Sequence, residues 1–332
     1  MKSIRLVVFL FALYTLTLPA SAATLVVLNK SEHTASLIDP DTGKTLAKLP
    51  VGRGPHEVIV SPDGRTAYVS NFGPYGICPP GDTMCKTPGN TITVLDLAER
   101  KVKATYDYGS NKGQHGSVIS RDGKYVWVTS ETPQSLLEID TATGKIVNQW
   151  KTKQERSHLV VVMPEEKKFY VTNTISGSVS AIERATGAVK VIPIGKGAEA
   201  ITISPDGREV WVGMPVDNKI AVISTAKDEV VETLDSGGKQ PQRIRFTPDG
   251  NEVWVSHVAA DTLTVIDSKS RKVVENVSVG KRPQGIVFSP DGHRGYFALS
   301  GSNQVAVIDV PGRKLVENFE TGLDPDGIGW GR

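Results

Sequence analysis

Long apolar runs are missing from almost the whole chain, and the one near the start, Leu6–Leu18, is too short to span a bilayer as a helix. An excess of one charge is missing as well: 38 Lys and Arg face 36 Asp and Glu, with no basic run and no basic-aromatic interleaving. That balance argues against nucleic acid and anionic membranes as partners. Cysteine is scarce, with Cys78 and Cys85 the two present. No CxxC or CxxCH spacing accompanies them, so thiolate metal ligation is the weaker reading, and a disulfide stapling its own loop is the simpler one in an oxidising compartment. Helical periodicity is absent throughout, and neither an EF-hand loop nor a nonapeptide calcium repeat occurs.

What is present begins with an export signature. Lys2 and Arg5, the apolar run and Ala20-Ser21-Ala22 read as a signal peptide over residues 1–22, with no cysteine at the cut to carry a lipid. Residues 23–332 are then expected to be a soluble exported protein, most simply periplasmic and monomeric. Removing Lys2 and Arg5 leaves 36 basic residues against 36 acidic ones.

A repeat fills the rest. Its clearest copy is Gly54–Asn71, GPHEVIVSPDGRTAYVSN: a polar residue, an apolar run, a Ser-Pro-Asp-Gly turn and a second apolar run. Aligned on the turn, the polar residue becomes a column: His56, His115, His158, Glu199, Gln242, Gln284 and Asp326. After His115 the spacing holds at 41 to 43 residues, the period of a four-stranded propeller blade. The longer first step is explained by an insertion at 72–90 that holds both cysteines. Residues 24–50 supply three strands without a first, and residues 325–330 supply a first strand alone. One blade shared by both termini closes a seven-bladed, all-β propeller.

The endings YVSN (68–71) and YVTN (170–173), with the repeated SPDG turns, resemble the YVTN family of β-propeller proteins over the whole region after the signal. Met163-Pro164-Glu165-Glu166 departs from the turn and Val212-Gly213-Met214 from the ending. The resemblance implies a seven-bladed propeller and export, and implies little about activity.

In such a fold the column should ring one mouth of the central channel. His33, the 72–90 insertion and the second-strand ends Asn71, Asn173 and His257 are expected on the same face, opposite His293 and the SPDG turns. Three imidazoles with a carboxylate form a candidate transition-metal site for zinc, copper, iron or nickel: His56, His115 and His158 with Glu199 or Asp326. Glu57, Glu131 and His257 would support them from behind. Gln242, Gln284 and Arg243 complete the mouth, Arg243 either holding an anion or pairing with Glu199. Two other readings remain open. Glu199 could act as a catalytic base on a small molecule in a metal-assisted hydrolase or lyase. Alternatively, the channel could be merely wet, in a scaffold that binds a periplasmic protein partner. Trp127, Trp211 and Trp254 share one repeat position with Tyr68, Tyr170 and Tyr296, which reads as blade packing.

Overall fold

The structure, a computed structural model, describes residues 23–73 and 87–332. The described residues form no helix; their 28 strands make seven four-stranded antiparallel sheets. We number the blades from the one carrying His56 to the one carrying Asp326. The seventh takes its innermost strand, Pro325–Gly331, from the end of the chain and its other three, Thr24–Asn29, Thr34–Ile38 and Thr45–Pro50, from residues 24–50. Leu25 lies opposite Trp330 and Val27 opposite Ile328, so the ring closes as an antiparallel ladder. Closure ties the two ends of the chain into one blade.

The SPDG sequence makes the hairpin between first and second strands. In the first blade Asp63 accepts from the Ser61 hydroxyl at 2.5 Å and from the Arg65 N–H at 3.1 Å, while Gly64 takes the positive φ of 73° that the turn needs. The same hydroxyl–carboxylate contact recurs at Ser120/Asp122, Ser204/Asp206, Thr247/Asp249 and Ser289/Asp291. These carboxylates are spent on their own turns.

The core lies between blades. Trp127, Trp211 and Trp254 are fully buried, and Tyr68, Tyr170 and Tyr296 nearly so. Trp254 of blade five packs in one cluster with Ile286, Phe288 and Phe297 of blade six. Burying each such aromatic contributes about 2–3 kcal/mol, so a shared position repeated around the ring holds the blades together.

Candidate functional site

Strand alternation alone would not aim the column inward. In six of the seven blades the pairing of first to second strand slips at one place, and the slip spans the column residue each time. Around His56, for example, Pro55 pairs with Asn71 but Glu57 pairs with Ser70. Such a β-bulge frees one residue from the ladder and redirects its side chain. In blade four the first strand is only Ile201–Ile203, and Glu199 stands just before it.

The residue after the column sets how closely blades approach. At Gly116, Gly285 and Gly327 a Cβ would lie 2.5 Å from the Leu159 Cα, 2.3 Å from the Asp326 carbonyl and 2.4 Å from the His56 carbonyl. Only glycine permits that contact, and it brings neighbouring column residues together. Blades one and five carry Glu57 and Arg243 at this position instead.

The three histidines form a row. Ring centroids of His56 and His115 are 4.9 Å apart, and those of His115 and His158 are 3.8 Å apart with a 35° tilt. Phe72, first residue of the insertion, sets its ring against His56 at 4.9 Å and His115 at 4.7 Å. Each end of the row meets a carboxylate. His158 Nε2 lies 2.8 Å from Glu199 Oε1, which also accepts from Gln242 Nε2 at 2.9 Å. His56 Nδ1 lies 3.3 Å from Asp326 Oδ2, which Lys30 Nζ also approaches at 3.3 Å. Behind the row Arg243 crosses the channel, donating to Glu57 Oε1 at 2.5 Å and to Asp326 Oδ1 at 3.4 Å. Arg243 thus pairs with Glu57 and Asp326 rather than with Glu199.

Burial governs the protonation of this cluster. Desolvation lowers His56 to about 3 despite the opposing pull of Asp326, and it drives His115 well below the ordinary imidazole value, helped by repulsion from His158 and His56. Burial would raise Glu199 and Asp326, but their partners outweigh it and hold both at about 2: the contact with His158 for the first, Lys30 and Arg243 for the second. Glu57 is raised by burial, with Arg243 opposing. His115 Nδ1 and His158 Nδ1 are buried and have no hydrogen-bond partner among the described residues.

Other expected site residues sit elsewhere. Asn71 and Asn173 do not face the channel. Their amides turn into the blade and donate to third-strand hydroxyls, Thr91 and Thr93 for one, Ser178 and Ser180 for the other. His257 occupies the equivalent position, fully buried against Gly238, and burial lowers it to about 4. His33 holds the approach to blade one, its Nδ1 accepting from the Gly54 N–H at 3.1 Å. Glu131 pairs with Arg156 at 3.3 Å, and Gln284 is buried near Ser300. Cys78 and Cys85 lie outside the described residues. Lys30 and Phe72 are participants that the repeat pattern does not flag; each directly follows a second-strand end, Asn29 and Asn71. No three His, Cys, Asp or Glu side chains among the described residues are arranged to hold a metal ion.

The channel's cavity is not at the column. A space of about 490 Å³ is lined by first-strand residues of all seven blades, and by Pro205, Thr247 and Pro248 from the turn face. Glu57 and Arg243 border it, whereas none of the seven column residues does. The expected open funnel on the histidine face is instead a buried polar layer, backed by the Arg243–Glu57 pair.

Comparison with known proteins agrees with this architecture. Residues 179–294 match the model of the YNCE-like beta-propeller family. Among curated proteins no sequence match is found. Solved structures share the fold at low identity. Hydrazine synthase of Kuenenia stuttgartiensis is 19% identical, with a TM-score of 0.70 over 82% of this chain and 88% of that one. The periplasmic gluconolactonase of Pseudomonas aeruginosa is 20% identical, with a TM-score of 0.72 over 93% and 99%. A functionally unknown protein of Desulfotomaculum acetoxidans is 14% identical, with a TM-score of 0.76 over 93% and 99%. The chain is a seven-bladed β-propeller, and its residues 179–294 match the YNCE-like beta-propeller family.

Proposed function

We propose that the histidine row binds a transition metal ion, or a ligand through one, in a protein exported to the periplasm. The observation that carries this reading is the pair of buried Nδ1 atoms on His115 and His158 that meet no partner among the described residues. A buried polar atom without a partner costs about 1–3 kcal/mol, and a neutral imidazole nitrogen is a metal ligand. The carboxylates support the reading in a role other than direct ligation. Glu199 engages Nε2 of His158, whose Nδ1 meets no described partner, and Asp326 lies against Nδ1 of His56. That is the carboxylate–histidine arrangement that orients metal-binding imidazoles. No three ligands stand ready among the described residues, so binding requires the imidazoles to rotate.

A carboxylate held near 2 has little tendency to take a proton at neutral pH, which makes Glu199 a better anchor for His158 than a general base. The enzymes that share the fold do so at 19% and 20% identity and lend no reaction to this chain. Export rests on residues 1–22 and is in keeping with the periplasmic protein among the fold's relatives.

The test is titration of the apoprotein with Co²⁺ and Cu²⁺, followed by d–d absorption. Saturation at one equivalent is expected, with loss of binding in His115→Ala and a 10- to 100-fold weakening in Glu199→Gln. Absence of saturable absorption in the parent protein would contradict the proposal.

A further inference from the structure

The cavity on the turn side of the Arg243–Glu57 pair contains a charge that the histidine row does not use. First-strand residues Arg243 and Arg245 both line it, two positions apart on Pro241–Phe246. Arg243 is committed to Glu57 and Asp326. Arg245 is exposed to the channel and has no hydrogen bond or ion pair to any described residue. The surrounding protein and the nearby Arg243 charge both disfavour its cation, and Glu57, already paired, gives it only distant support. Glu57, Arg243 and Arg245 are the charged residues of the lining, so the cavity carries one surplus positive charge.

Apolar groups make up somewhat more than half of the wall around that charge, polar groups the rest. Val118, Val161, Ile203, Phe246, Val287 and Phe288 contribute from successive blades. A guanidinium offers a planar fork that suits a carboxylate bidentately, and the pairing is worth more in a site partly shielded from water than in open solvent. The volume of about 490 Å³ lies within the range of small-molecule sites. We infer that this half of the channel binds a small amphipathic monocarboxylate, with its carboxylate on Arg245 and its hydrocarbon or aromatic body against the Val, Ile and Phe walls. Charge complementarity selects the anion, and the apolar part of the wall favours one that carries a hydrocarbon body.

Access is from the turn face, where Pro205 and Pro248 stand at the rim. The turn carboxylates there do not bar an anion. Asp206 and Asp249 each accept from a hydroxyl and a backbone N–H of their own turns, and Arg208 lies 3.6 Å from Asp206. The site is separate from the proposed metal ligands, so either can fail without the other.

The experiment is calorimetric titration of the full-length folded protein with octanoate and with 3-phenylpropionate, and with octanamide and inorganic phosphate as controls. Saturable binding of at least one carboxylate is expected, at least tenfold weaker in Arg245→Met and unchanged in His115→Ala. Arg245→Lys should keep the charge but lose the fork and fall between parent and Arg245→Met. Near-ultraviolet circular dichroism confirms folding, and if Arg245→Met does not fold, the Arg245→Lys affinity decides. No binding of either acid at millimolar concentration would overturn the inference. So would equal binding of octanamide, or affinity unaffected by the Arg245 variants.

Discussion

Arg243→Met is expected to be among the most damaging single changes on the channel axis. Its guanidinium lies 2.5 Å from Glu57 and 3.4 Å from Asp326, and side-chain exposures are 10%, 19% and 3% respectively. Asp326 keeps Lys30 after the change, so Glu57 is the carboxylate left buried without a partner. Breaking a buried pair from one side costs about 3–5 kcal/mol. At about 2.1 cal/mol/K per residue for a domain of roughly 300 residues, that is a fall in Tm of ~6 °C. The loss should depend on pH with a definite sign. Burial raises Glu57 and Arg243 opposes the rise, so without Arg243 the carboxyl is held further above its ordinary value. An acid bound to its proton more tightly when folded gains stability as pH falls. The deficit is therefore full above the folded pKa of Glu57 and shrinks as pH drops towards the ordinary 4.5. Urea and thermal unfolding across pH 5–8 would measure this, with Arg243→Met/Glu57→Met regaining most of the loss. A deficit under ~1 kcal/mol, or a double variant no better than the single, would refute the account of a charged brace across the channel.

Two further outcomes follow from the same geometry. His56, lowered to about 3, and His115, lowered well below 6.5, stay neutral in the fold while the unfolded chain takes up protons below 6.5. Stability in EDTA should thus be full above that pH and fall by roughly 3 kcal/mol between pH 7.5 and 5.5, about 1.4 kcal/mol per histidine. His115→Asn should halve the dependence in urea titrations; an unaltered slope would contradict it. Gly285→Ala would set a Cβ 2.3 Å from the Asp326 carbonyl, and an overpacking cost of about 1–3 kcal/mol is expected by thermal unfolding.

The ring, its closure and the inward face of the column are legible in the sequence because each blade repeats one solution to the same packing problem. The position of a side chain within that solution is less legible. Asn71 and Asn173 read as mouth residues from their place at the second-strand end, but their amide NH2 groups donate inside the blade. The signal was present in the hydroxyls they meet, Thr91 with Thr93 and Ser178 with Ser180, two apart on each third strand. A glycine four places before the column, as at Gly52 and Gly238, makes room for the side chain in that position. The bulges left no mark, since a slipped register does not disturb the order of polar and apolar residues. The partners of Arg243 were hidden for a different reason. The repeat equates positions in every blade, but it does not say that blade five reaches across the channel to blades one and seven. The cavity followed from the same pair: Glu57 and Arg243 sit behind the column and put the open space on the turn side.

Metal content of the protein purified without a His-tag or chelator tests the central proposal most directly. Elemental analysis should find close to one equivalent of zinc, copper, iron or nickel in the parent and none in folded His115→Ala. Metal-free parent protein that also fails to take up any of the four on reconstitution would contradict it, leaving the histidine row as a buried part of the propeller's axis.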